Sequence, residues 1–131
     1  MSWVSVFAGF LVAHLVGDYL LQTDWQASNK RAGLGGDPIA RRALFTHVTT
    51  YTLAFLPAFV WIASDLDVAW ALIAAALIYI PHLVLDDGRM VALYLARVKG
   101  VDGLNVSLAA SVDQSFHVLS LFLVALLLGT A

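Results

Sequence analysis

Val68-Ala69-Trp70-Ala71-Leu72-Ile73-Ala74-Ala75-Ala76-Leu77-Ile78-Tyr79-Ile80-Pro81-His82-Leu83-Val84-Leu85-Asp86 is the stretch on which the fold turns. From Val68 to Leu85 it contains no Asp, Glu, Lys or Arg. A helix of that length crosses most of a hydrocarbon layer about 30 Å thick. A water-facing helix would instead carry a polar stripe. Working outward, further apolar runs lie at about 3–21, 43–63 and 106–128, beside this one at about 68–85. The expected fold is an all-α integral membrane protein, a single domain over 1–131 with four transmembrane helices in an antiparallel bundle. Composition agrees: 61% of the 131 residues are hydrophobic and 12% charged, with a mean hydropathy of +0.86. Soluble domains carry about 25% charged residues.

The connections set the orientation. Residues 22–42 hold Gly33, Gly35, Gly36 and Pro38, which is loop composition. Residues 64–67 form a short turn that makes the second and third spans antiparallel neighbours. The third connection, 87–105, begins with Arg89-Met90-Val91-Ala92-Leu93-Tyr94-Leu95, readable as a short interfacial helix. Every basic residue falls in the first or third connection: Lys30, Arg31, Arg41, Arg42, Arg89, Arg97 and Lys99. The positive-inside rule puts these in the cytoplasm and both termini outside. Trp3, Trp61 and Trp70 then sit at the outer interface, and Trp25 at the inner end of the first span. The first span has no basic flank and carries His14 and Asp18, which reads as a retained span rather than a cleaved leader. A formal net charge of -2 gives no footprint for nucleic acid, and the lack of cysteine excludes thiolate metal sites and disulfides.

Ionisable residues inside a span are costly, so each calls for a partner. The spans carry His14 and Asp18, His47, His82 and Asp86, and Asp113 and His117. Each His/Asp pair is spaced i, i+4, which stacks both side chains on one helix face. His precedes Asp in the two inward-running helices and follows it in the outward-running fourth. Each aspartate therefore lies nearer the cytoplasm, with its histidine one turn deeper. Imidazole with carboxylate suits zinc, iron or manganese, as one ion or as two about 3.5–4 Å apart. The ligand set read from the sequence is His14, Asp18, His47, His82, Asp86, Asp113 and His117. Asp18 or Asp86 would accept the proton of an attacking water.

Gln22, Lys30, Arg42 and Gln114 are the candidate substrate-binding residues, the basic ones suited to phosphate. Thr46, Thr50 and Ser115 are expected to bond their own backbone. Gly17 permits close helix approach, and Pro57 and Pro81 free carbonyls. The favoured function is a metal-dependent enzyme, a hydrolase acting on a lipid-linked or amphipathic substrate among membrane lipids. The same residues would also serve a metal-ion or proton transporter or channel, a non-haem iron redox enzyme, or a purely structural polar network. A transport path through four helices would require a homo-oligomer.

The run His14-Leu15-Val16-Gly17-Asp18-Tyr19-Leu20-Leu21-Gln22-Thr23-Asp24-Trp25, with Lys30 and His47 after it, resembles the bacterial membrane family known as domain of unknown function 3307. The resemblance covers most of the chain and implies the bacterial inner membrane, while the family name carries no activity. More loosely, inner-leaflet His and Asp on short helices are similar to membrane-bound metal-dependent hydrolases.

Overall fold

The computed structural model describes residues 1–101 and 105–131. It is helical throughout, with no strand among the described residues. Helix α1 (Trp3–Leu15) continues into a wide π turn, Val16–Leu20. It is followed by α2 (Asp24–Asn29), α3 (Pro38–Leu53), α4 (Leu56–Asp65), α5 (Val68–Asp87), α6 (Arg89–Tyr94) with a second π turn Leu95–Lys99, and α7 (Val106–Gly129). Three helical segments are long and apolar enough to cross a membrane: Trp3–Leu20, Val68–Asp87 and Val106–Gly129. The fourth apolar run is not one rod. α3 and α4 meet at 49° and pass the same criterion only as a bent pair. The bend falls at Ala54 and Phe55, just before Pro57, which has no N–H to continue the α3 ladder and opens α4 instead. Pro81, by contrast, sits inside an unbroken α5.

The first connection departs from the expected loop. Thr23 and Gln26 form a reciprocal capping box, the Thr23 hydroxyl accepting from Gln26 N at 3.1 Å and Gln26 Oε1 from Thr23 N at 3.0 Å, and this starts α2. Trp25 therefore belongs to α2 and not to the end of the first span. Asp37 caps α3 and Pro38 takes its first position, so that helix begins five residues before the expected 43. In the third connection α6 occupies the stretch expected as a short helix. The end of that connection, residues 102–104, lies outside the described residues.

α1, α4, α5 and α7 close around Val6, Phe10, Phe55, Ile62, Ala74 and Leu128, a buried apolar core. A smaller cluster of Leu85, Val91, Leu95 and Val112 packs α5 and α7 against α6 at the opposite end. Between the two lies a polar layer: His14, Asp18, His47, His82, Asp86 and His117 are all buried. Meanwhile Val12, Leu20, Leu72, Leu77, Leu119 and Leu123 are exposed around the outside, the inverse of a water-soluble arrangement.

Candidate metal centre

A local backbone feature accompanies Asp18, which is buried. In the π turn, Leu21 N bonds Val16 O at 2.9 Å, five residues back instead of four, and the widened turn carries Gly17 and Asp18. Gly17 lies against α3 so closely that a Cβ would stand 2.6 Å from Tyr51 Cδ2 and 3.1 Å from Tyr51 Cα. Gly17→Ala should therefore overpack this contact, costing about 1–3 kcal/mol and lowering the thermal midpoint in detergent. An unchanged midpoint would show that α1 and α3 are not pinned there.

Asp18 Oδ1, His47 Nε2, His82 Nε2 and Asp86 Oδ2 converge. The two imidazole nitrogens are 3.2 Å apart. His47 Nε2 lies 3.2 Å from Asp18 Oδ1 and 2.9 Å from Asp86 Oδ2, and His82 Nε2 lies 3.4 and 3.0 Å from the same atoms. All four residues are buried and their ligand atoms fall within 4.8 Å of one another. Four donors held 2.0–2.1 Å from a tetrahedral zinc stand about 3.3–3.4 Å apart, and adjacent donors of an octahedral ion about 3 Å. The separations match such a shell. Hydrogen bonding alone does not satisfy it, because Asp18 Oδ1 has no hydrogen-bond partner despite two nitrogens beside it. A buried carboxylate oxygen without a partner is costly, and a cation there would remove the cost.

Asp86 joins this group to a second one with Asp113 and His117. His117 donates from Nδ1 to Asp113 O at 2.8 Å, so that the neutral ring holds its lone pair on Nε2, 3.1 Å from Asp86 Oδ1. Asp113 is the half-buried member.

His14 stands outside both groups. Gln114 donates from Nε2 to Asp113 Oδ2 at 3.3 Å, so its Oε1 accepts from His14 Nε2 at 2.9 Å. Tyr51 Oη then donates to His14 Nδ1 at 3.0 Å. Both ring nitrogens are occupied by protein, and His14 braces Tyr51 instead of offering a ligand atom.

Of the candidate substrate residues, Lys30 reaches the cluster, its Nζ 2.8 Å from Asp86 Oδ2 and 2.6 Å from Gln22 Oε1. Gln22 thus bonds Lys30, and Gln114 bonds both His14 and Asp113. Arg42 goes elsewhere: its guanidinium lies 5.9 Å over the exposed Trp25 ring, remote in contact from the ligands. Thr46, Thr50 and Ser115 bond backbone carbonyls of their own helices.

Two residues escaped the sequence reading. Tyr51, one turn after His47, is buried and stacks on the His82 ring at 3.6 Å and 18°. Asp87 accepts from Leu34 N at 2.9 Å and from Arg89 Nε at 2.6 Å, while its carbonyl accepts from Ala32 N. It clamps the first connection over the end of α5, where Gly88 turns with φ of 81° under the Arg31 side chain. That clamp sets Lys30 over Asp86. The i, i+4 spacing from His47 would have revealed Tyr51. Asp87 has no such signal beyond its neighbour.

The molecule is thus an all-helical protein, several of whose helices are long and apolar enough to span a membrane, with a buried His/Asp cluster able to hold a metal ion. The sequence model of the family described as Protein of unknown function (DUF3307) matches residues 6–131, and the chain belongs to that family. Among curated proteins and solved structures nothing matches it.

Proposed function

We propose that the protein is a four-span, metal-dependent hydrolase of the bacterial inner membrane, acting on a lipid-linked or amphipathic substrate at the cytoplasmic leaflet. The observation that carries this reading is the convergence of Asp18 Oδ1, His47 Nε2, His82 Nε2 and Asp86 Oδ2 at separations that fit one ion, zinc, iron or manganese. Such an ion supplies a nucleophile by acidifying a water. The bent α3–α4 pair is the fourth span, the basic connections face the cytoplasm and both termini lie outside.

His14, Asp18, His82 and Asp86 sit toward the C-terminal ends of the first helical segment and α5, while His47 lies within α3 and Asp113 and His117 in the first half of α7. The connections after the first segment and after α5 bear the Lys and Arg. A substrate's polar group would approach from that side while its apolar part stays in lipid. A metal-ion or proton transporter would need polar atoms continuing to the opposite end. There the described core residues are Val6, Phe10, Phe55, Ile62 and Leu128, which favours chemistry over conduction.

The test is turnover by the full chain in nanodiscs with lipid phosphate esters and carboxylic esters, before and after chelation. Hydrolysis abolished by chelator and restored by zinc, manganese or iron is the expected result. Metal-driven flux into sealed liposomes without turnover would overturn the reading in favour of transport, and an absorbing iron centre with oxidised product would replace it by redox chemistry.

A further inference from the structure

The cluster holds more donors than one ion needs, and they divide about Asp86. Its Oδ2 faces His47, His82 and Lys30, whereas its Oδ1 faces His117 Nε2 at 3.1 Å. On that second side His117 is 2% exposed, its Nε2 has no hydrogen-bond partner, and with Nδ1 donating to Asp113 O the neutral ring holds its lone pair on Nε2. Asp113 completes the group, with ligand atoms of all three residues within 4.8 Å.

We propose that Asp86 Oδ1, Asp113 and His117 hold a second, weaker ion that enters together with a phosphate-type oxyanion, Asp86 bridging the two ions. The inference rests on the metal-dependent reading above. Charge decides the coupling. Asp18, Asp86 and Asp113 carry three negative charges and Lys30 one positive, so with neutral imidazoles one divalent ion brings the cluster to neutrality. A second divalent ion adds two positive charges. A buried site of low dielectric holds these only with an anion beside them, and a phosphate-type dianion cancels both.

The place for that anion is visible. A cavity of about 260 Å³ is lined by Lys30, Arg31, Asp86 and Asp113 on its polar side and by Val106 and Ala109 of α7 on its apolar side. The bases suit the oxyanion, and the α7 wall suits an attached chain. The Asp113 side chain is 28% exposed, against 7% for Asp18 and 2% for Asp86, so the second ion exchanges through this cavity while the first is enclosed. Two ions about 3.5–4 Å apart are the arrangement that stabilises both the attacking and the leaving oxygen in phosphoryl displacement.

The experiment is a Mn²⁺ titration of the full chain, followed by electron paramagnetic resonance, in nanodiscs of phosphatidylcholine, of phosphatidylcholine with inorganic phosphate in solution, and of phosphatidylcholine with phosphatidic acid. One tight ion is expected in the first. In at least one of the others a second ion should bind about tenfold more tightly or better than without the oxyanion, with a spin-coupled signal. A response to phosphatidic acid alone assigns a lipid headgroup, and a response to inorganic phosphate alone a soluble substrate. Asp113→Asn should keep the first ion, which reports an intact fold, and lose the second. A wild type that never exceeds one ion, a second ion equally tight without oxyanion, or a second ion retained by Asp113→Asn would overturn the proposal and leave the first site standing. No bound Mn²⁺ in any condition would overturn both readings.

Discussion

His47→Ala and His82→Ala are each expected to abolish metal binding by the detergent-purified protein, while His14→Ala keeps it. From sequence the three histidines are equivalent: each is in an apolar helix, and His14 and His82 are each followed four residues later by aspartate. Their surroundings separate them. His47 and His82 present Nε2 atoms 3.2 Å apart to two carboxylates, and losing either opens one side of the shell. His14 has both nitrogens engaged, by Tyr51 and Gln114, and reaches Asp18 Oδ2 only at 3.6 Å. Removing a group that merely orients a ligand weakens metal binding about 10–100-fold, so loss of a ligand itself should exceed that. Elemental analysis should give about one tightly held equivalent in wild type and in His14→Ala, and none in the other two. His14→Ala should still melt at lower temperature, because Tyr51 Oη and Gln114 Oε1 lose their buried partner. If His14→Ala loses the ion as completely as His47→Ala, the division of the histidines into ligands and brace is wrong.

That division shows where the sequence stops being informative. Apolar runs and i, i+4 pairs are local properties, and they pointed to long helices with His and Asp on one face. Which donors share a centre depends on helix rotation and on rivals for the same lone pair, both tertiary. Gln114 was visible as a neighbour of Asp113, yet nothing local says that its carbonyl captures His14 from another helix. Arg42 looked like a phosphate ligand by charge alone, but α3 starts earlier than its apolar run and carries Arg42 to Trp25. Two local signals were present and outweighed. Thr23-x-x-Gln26 is a capping box inside a stretch whose glycines suggested loop, and Asp37-Pro38 is a helix start. The break at Ala54 and Phe55 was foreshadowed by Pro57, although the hydropathy of the run is continuous across it. Lys30 reaches Asp86 because of that short α2 and the Asp87 clamp, so misreading the connection concealed the route by which the lysine enters the site.

Asp86→Asn is expected to have the largest effect of any single substitution, on stability and metal content together. The Asp86 carboxylate is 2% exposed and meets Lys30 Nζ at 2.8 Å, His47 Nε2 at 2.9 Å, His82 Nε2 at 3.0 Å and His117 Nε2 at 3.1 Å. An amide of the same shape keeps the volume but removes the charge, leaving a largely buried ammonium without its counterion. Removing one partner of a buried ion pair costs about 3–5 kcal/mol, a large fraction of a small domain's stability. Metal binding should be lost as well, because the candidate shell loses one of its two anionic donors. Stability and ligation can be separated through Lys30. Lys30→Met alone retires the positive charge, and the double variant Lys30→Met with Asp86→Asn no longer strands it. The double variant should recover much of the thermal midpoint lost by Asp86→Asn while still binding no metal. That outcome would assign the stability loss to the unpaired ammonium and the metal loss to the missing oxygen. Equal melting of the single and double variants would show that Lys30 does not depend on Asp86, and metal retained by either would remove Asp86 from the ligand shell.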